Sequence, residues 1–119
     1  MWIRTSPPIP GTEDGDLDLA RQEMARDDFK AALKSVKAWI KKYGTEAARY
    51  PEALNLKASV ELASGDYRAA HDDYQTLLNS YGASGFAEGA LQNDFRIAEQ
   101  YLAGKRRKAW GGLLTVKDR

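Results

Sequence analysis

His71 is the single histidine in a chain of 119 residues, and it stands beside two carboxylates in "HDD", residues 71 to 73. An imidazole among acids is the raw material of a general base or a metal site. The neighbouring sequence completes neither. No second ligand follows at the i+4 position that would share a helix face, and no serine, cysteine or glycine-rich phosphate loop is placed to extend the set. The chain has no cysteine, which excludes a thiolate metal centre and a disulfide framework. His71, Asp72 and Asp73 are therefore expected on a solvated helix surface, with no cofactor and no metal. The chain is expected not to be an enzyme.

A second cluster, Lys105, Arg106, Arg107 and Lys108, has the charge to meet nucleic-acid phosphates or anionic lipid headgroups. The formal net charge is only +1. Residues 105–119 hold six basic groups against Asp118, so this end carries +5 and the preceding stretch about −4. The run falls where the opening turn of a helix is expected, at the end of the dipole that disfavours cations. That placement favours a basic surface for a partner. Sequence-specific reading of nucleic acid is not expected.

Helices must position these groups. With 43% hydrophobic and 29% charged residues, the composition fits one globular domain with a single core. No apolar run approaches the roughly 18 residues of a membrane span. "MWIRTSPPIP" lacks the apolar region of a signal peptide, so membrane attachment is expected only through an anchor absent from this chain. Residues 1–13, with Pro7, Pro8, Pro10 and Gly11, read as an extended lead-in. Thr12, Asp14 or Asp16 can cap a first helix carrying Leu17, Ala20 and Met24 at helical spacing. "DDFKAALKSVKAWIKKYG", residues 27 to 44, places Phe29, Ala32, Leu33, Val36, Trp39 and Ile40 on one face of a second helix that Gly44 ends. A third helix runs from about Pro51 to Ala63, and a fourth from about Asp66 to Tyr81. A fifth is expected over about 86 to 103, closed by Gly104. It carries Ala87, Leu91, Phe95, Ala98 and Leu102 along one stripe, with Phe86, Ala90, Ile97 and Tyr101 beside it. No segment alternates with period two, so the fold class is all-α.

The fourth helix repeats the second. Phe29 matches Tyr67, Ala32 matches Ala70, Val36 matches Tyr74 and Trp39 matches Leu77, with a period of 38 (67 − 29). Upstream, Ala20 pairs with Ala58 and Met24 with Leu62. Helices of this length are marginal alone in water, so repeated helix pairs are expected to bury their apolar faces on one another. The repeat domain spans 14–110, as units of about 14–44, 51–82 and 86–110. A basic tail covers 111–119.

"GDYRAAHDDYQTLL", with its Gly-Asp-Tyr turn, Ala70 and Tyr74, resembles the tetratricopeptide-repeat family. The longer period, the passage from "YPEALNL" to "LLNSYG" and the ending "FRIAEQYLAGKRRKAWGGLL" are similar to the BamD-like (YfiO-type) outer-membrane assembly lipoproteins of bacteria. The resemblance implies helical hairpins stacked as a right-handed solenoid of about five to six helices. It also implies a non-catalytic protein-interaction scaffold in the bacterial periplasm, contacting the outer-membrane barrel insertase and its substrates. Projecting the family's concave groove onto this chain selects Arg21, Met24, Asn55, Ser59, Leu62, Asp94, Ala98 and Tyr101 for a peptide or protein partner. The alternative is a cytoplasmic, self-associating repeat scaffold or regulator. Gly111 and Gly112 weaken a sixth helix, so the outer face of the fifth calls for a cover: a partner, a second copy, or sequence outside the chain.

Overall fold

The computed structural model describes residues 11–114, with side chains through residue 104. Most of the extended lead-in, the end of the basic tail, and the side chains of Lys105, Arg106, Arg107, Lys108 and Trp110 lie outside the described residues. Five helices make up the rest: α1 (Glu13–Ala25), α2 (Phe29–Tyr43), α3 (Tyr50–Ala63), α4 (Tyr67–Ser80) and α5 (Ala87–Leu114). There is no strand among the described residues. α1 packs on α2, α2 on α3, α3 on α4 and α4 on α5, so the fold is all-α, a stack of helical hairpins. No helix among the described residues is long and apolar enough to cross a membrane.

Local chemistry explains each start. The Thr12 hydroxyl accepts the Gly15 N–H at 2.9 Å, and Glu13, Asp14 and Asp16 put negative charge at the positive end of α1. Asp28 and Asp66 cap α2 and α4 in the same way, each accepting an N–H three residues on, from Ala31 and Ala69, at 3.3 Å. Pro51 sits in the first turn of α3, where its missing N–H costs nothing.

The repeat is visible in the backbone. The turn before α2 brings the Asp27 N–H to the Met24 carbonyl at 2.9 Å and the Asp28 N–H to the Glu23 carbonyl at 2.9 Å. The turn before α4 does the same with Gly65 and Leu62 at 3.1 Å and with Asp66 and Glu61 at 2.9 Å. Both turns need a left-handed residue: φ is +61° at Asp27 and +90° at Gly65. A Cβ on Gly65 would meet nothing within 4 Å, so its substitution carries a purely conformational cost. Gly65→Ala is expected to lose about 1–2 kcal/mol, while Asp27→Gly loses none. Urea melts of both variants check this, and a neutral Gly65→Ala would remove the assignment.

The interior follows the same period. Ala20 and Ala58 on the first helix of each pair, and Ala32 and Ala70 on the second, are fully buried, which lets the paired helices approach closely. One cluster gathers Leu17, Ala20, Val36, Trp39 and Ala53. The other gathers Tyr50, Leu54, Ala58, Ala70, Tyr74, Leu77, Ala90 and Ile97. Polar ties fix the ends of the first pair. Trp39 Nε1 donates to the Glu13 carbonyl at 2.8 Å. Asp16 accepts from the Tyr43 hydroxyl at 2.7 Å. That bond, the Gly11 N–H and Lys42 hold the Asp16 carboxyl below its usual range.

The expected closure at Gly104 does not occur. α5 runs unbroken through it for 28 residues. The two real turns each pair a left-handed residue with a following aspartate that caps the next helix. After Gly104 comes Lys105, which has no acceptor to offer. A helix can continue through glycine at a cost of about 1 kcal/mol relative to alanine, and here nothing in the sequence competes with continuation.

Candidate partner-binding face

α5 is held by one side. Ala90 and Ile97 are buried against α4. Most of the stripe read from the sequence points away from α4: Leu91 is 60%, Phe95 66% and Leu102 55% exposed, and Ala98 between them is exposed as well. The matching turns show why. Ala90 takes the place that Ala53 holds in α3, each buried and each donating its N–H to the carbonyl four residues back at 3.0 Å. By the same step Leu91 stands for Leu54 and Phe95 for Ala58. Those α3 residues are 3% and 0% exposed because α4 covers them. No helix among the described residues covers α5 in that way.

Two hollows flank Ala98. One, of about 450 Å³, is lined by His71, Ile97, Ala98, Tyr101 and Leu102. The other, of about 350 Å³, is lined by Phe95, Ala98, Glu99, Leu102 and Ala103. Ala98 and Leu102 line both.

His71 and Asp73 are not on an idle surface. His71 Nδ1 donates to Asp94 Oδ1 at 2.6 Å, and Gln75 Nε2 donates to Asp94 Oδ2 at 2.7 Å. Asp94 is thereby clamped between α4 and α5, and the imidazole stands at the edge of the larger hollow. The local sequence gives no sign of this, since Asp94 lies 23 residues away. Asp73 accepts from Lys57 Nζ at 2.7 Å, and the same ammonium donates to Glu61 Oε2 at 2.9 Å. Glu61 is 3% exposed. Burial first, then the hydrogen bond with Asp73, pushes its carboxyl up to about 7 against the pull of Lys57. Burial lowers the Lys57 ammonium, but its bonds to Asp73 and Glu61 outweigh that and hold it above its usual value. One cation between two carboxylates is neutral when one of the two keeps its proton. Among the described residues no group of three or more His, Cys, Asp or Glu is arranged to hold a metal ion.

The groove residues selected from the sequence are dispersed. Arg21 pairs with Asp18 and, across to α3, with Glu52. Met24 and Leu62 end their helices half-buried, Leu62 packed on the core. Asn55 is half-buried, and its carbonyl accepts the Ser59 hydroxyl at 2.9 Å. Ser59 also lies 3.3 Å from the Tyr74 hydroxyl, turned into the α3–α4 contact. Asp94 is committed to His71 and Gln75. Ala98 and Tyr101 meet at an open hollow. The exposure of Leu91, Phe95 and Leu102 has one sign in the sequence: a phenylalanine stands at a register position that is alanine in both earlier first helices.

No family model matches this chain, and no solved structure does. Among curated proteins, the chain is 32% identical over 109 residues to the cyclopenase penL of Penicillium thymicola. The match takes in 81% of this chain and 15% of that protein, so the chain spans about 15% of the length of the curated relative it matches. The expectation of a chain that is not an enzyme is corrected by this match, because the protein it aligns with is one by name.

Proposed function

We propose that this chain is a protein-interaction module of stacked helical hairpins that docks a partner's amphipathic helix on the outer face of α5. The observation that carries the reading is the contrast within one repeat register. Leu54 and Ala58 lie beneath α4, while their counterparts Leu91 and Phe95 face solvent. The fold covers this face of its earlier repeats with a helix, and an exposed run of large apolar side chains marks an interaction surface. The hollows beside Ala98 offer places for anchoring side chains. The alignment with a segment of a cyclopenase supports a module belonging to an enzyme of that kind. The bacterial outer-membrane assembly reading is supported by the sequence resemblance alone, and the geometry of α5 does not depend on it.

The absence of cysteine makes a clean test available. Gln92→Cys places a unique thiol beside Leu91 and Phe95, and Lys34→Cys places one on the exposed side of α2. In dilute purified protein both thiols are expected to react with a maleimide at similar rates. In the cell that makes the protein, the Gln92→Cys thiol is expected to react at least about tenfold more slowly. Equal rates in the cell would remove the reading.

A further inference from the structure

We infer that the helix docked on this face is α5 of a second copy of the chain, the two helices pairing antiparallel about a two-fold axis between residues 96 and 97. The inference rests on the docking face proposed above and names its occupant. Leu91, Phe95, Ala98 and Leu102 are spaced by four, three and four residues, the spacing of a seam between two packed helices. The cover that the fold uses internally does not suit this seam. α2 and α4 carry fully buried alanines, Ala32 and Ala70, as their partner helices carry Ala20 and Ala58. Phe95 occupies the corresponding position in α5, and a helix brought equally close would be overpacked.

The complement to Phe95 lies one turn further along the same helix. Ala98 is the small residue of the Leu91, Phe95, Ala98 and Leu102 seam, and it lines both hollows. An antiparallel two-fold sets each Phe95 over Ala98 of the other copy, and each Leu91 against Leu102. Large meets small at the centre, and leucine meets leucine at the ends. This is the self-complementarity that an isologous interface requires. A parallel pairing would instead set Phe95 on Phe95. Charge agrees with the antiparallel choice. Arg96 and Glu99 are exposed on one flank of the seam, and the same axis sets each Arg96 two residues, about 3 Å along the helix, from the level of Glu99 of the other copy, twice over, within reach of the long arginine side chain. Opposite charges at such flanking positions select orientation.

Sedimentation of the full chain over a wide concentration range tests the inference. The expected result is a reversible dimer of the 13.2 kDa chain. Ala98→Phe fills the receiving site and is expected to weaken dimerisation at least about tenfold. Adding Phe95→Ala to it exchanges large for small on both sides of the axis and is expected to restore the dimer. Both residues are exposed in the single chain, so circular dichroism melts of the dilute variants should match wild type. A chain that stays monomeric at every concentration overturns the second copy as occupant. If the Gln92→Cys thiol is nonetheless protected in the cell, the face belongs to another protein and the docking reading stands. If it is unprotected, both fail. A dimer indifferent to Ala98→Phe, or one that the double variant does not restore, also overturns the inference.

Discussion

Tyr74→Ala is expected to lower the unfolding free energy by about 4 kcal/mol, a large fraction of the total stability of a domain of this size. Tyr74 is fully buried, and it is the point at which three helices meet. Its ring fills the α3–α4 contact beside Ala58 and Ala70. Its hydroxyl lies 3.3 Å from the Ser59 hydroxyl on α3 and accepts from Asn93 Nδ2 on α5 at 3.1 Å. Truncation opens a ring-sized cavity and leaves the Asn93 amide without its partner. Tyr74→Phe keeps the ring and loses only the hydroxyl, for about 1 kcal/mol. Chemical denaturation of the pair separates the two contributions. A Tyr74→Ala loss below that of Tyr74→Phe would show that the ring does not organise the core.

Lys57→Met is expected to lose about 3 kcal/mol at pH 8, and clearly less at pH 5. The substitution keeps the apolar length of the side chain and removes the charge, leaving the Glu61 and Asp73 carboxylates facing each other without a cation. At pH 5 one carboxyl holds a proton and can donate it to the other, so the repulsion falls. The wild-type slope has a definite sign. Glu61 titrates in the folded state at about 7, above the 4.5 of the unfolded chain. The folded state therefore binds more protons between those values. The stability this contributes is fully present below about 4.5 and is lost as pH rises through about 7. Glu61→Gln should flatten that part of the profile. Urea midpoints across the range check both variants, and a Lys57→Met loss that grows on acidification would contradict the network.

Much of the fold is legible from the repeat. Matching Ala20 with Ala58, Ala32 with Ala70 and Trp39 with Leu77 identifies residues that are all buried, because small residues at a helix crossing are a steric requirement that must recur in each unit. The capping aspartates could be read the same way. Two things could not. Lys57, Glu61 and Asp73 look like ordinary charged helix positions, and only the docking of α3 on α4 brings them together. Likewise His71 and Asp94 are united by the α4–α5 contact, which no local pattern encodes. The extent of α5 differs from expectation for another reason. Gly104 reads as a stop by its correspondence to Gly65, although a stop also needs an acceptor after it to start the next helix.

The unbroken run of α5 past Gly104 has a mechanical consequence. The inner helices are gripped from two sides, α2 by α1 and α3, and α4 by α3 and α5, while α5 is gripped chiefly by α4. In a one-dimensional array the local opening free energy falls toward an end that has a single neighbour. α5 can therefore peel away as a lever while the first four helices stay folded, breaking the Asp94 clamp first. Whatever covers its outer face then acts as the missing second neighbour, turning a loose end into an interior position.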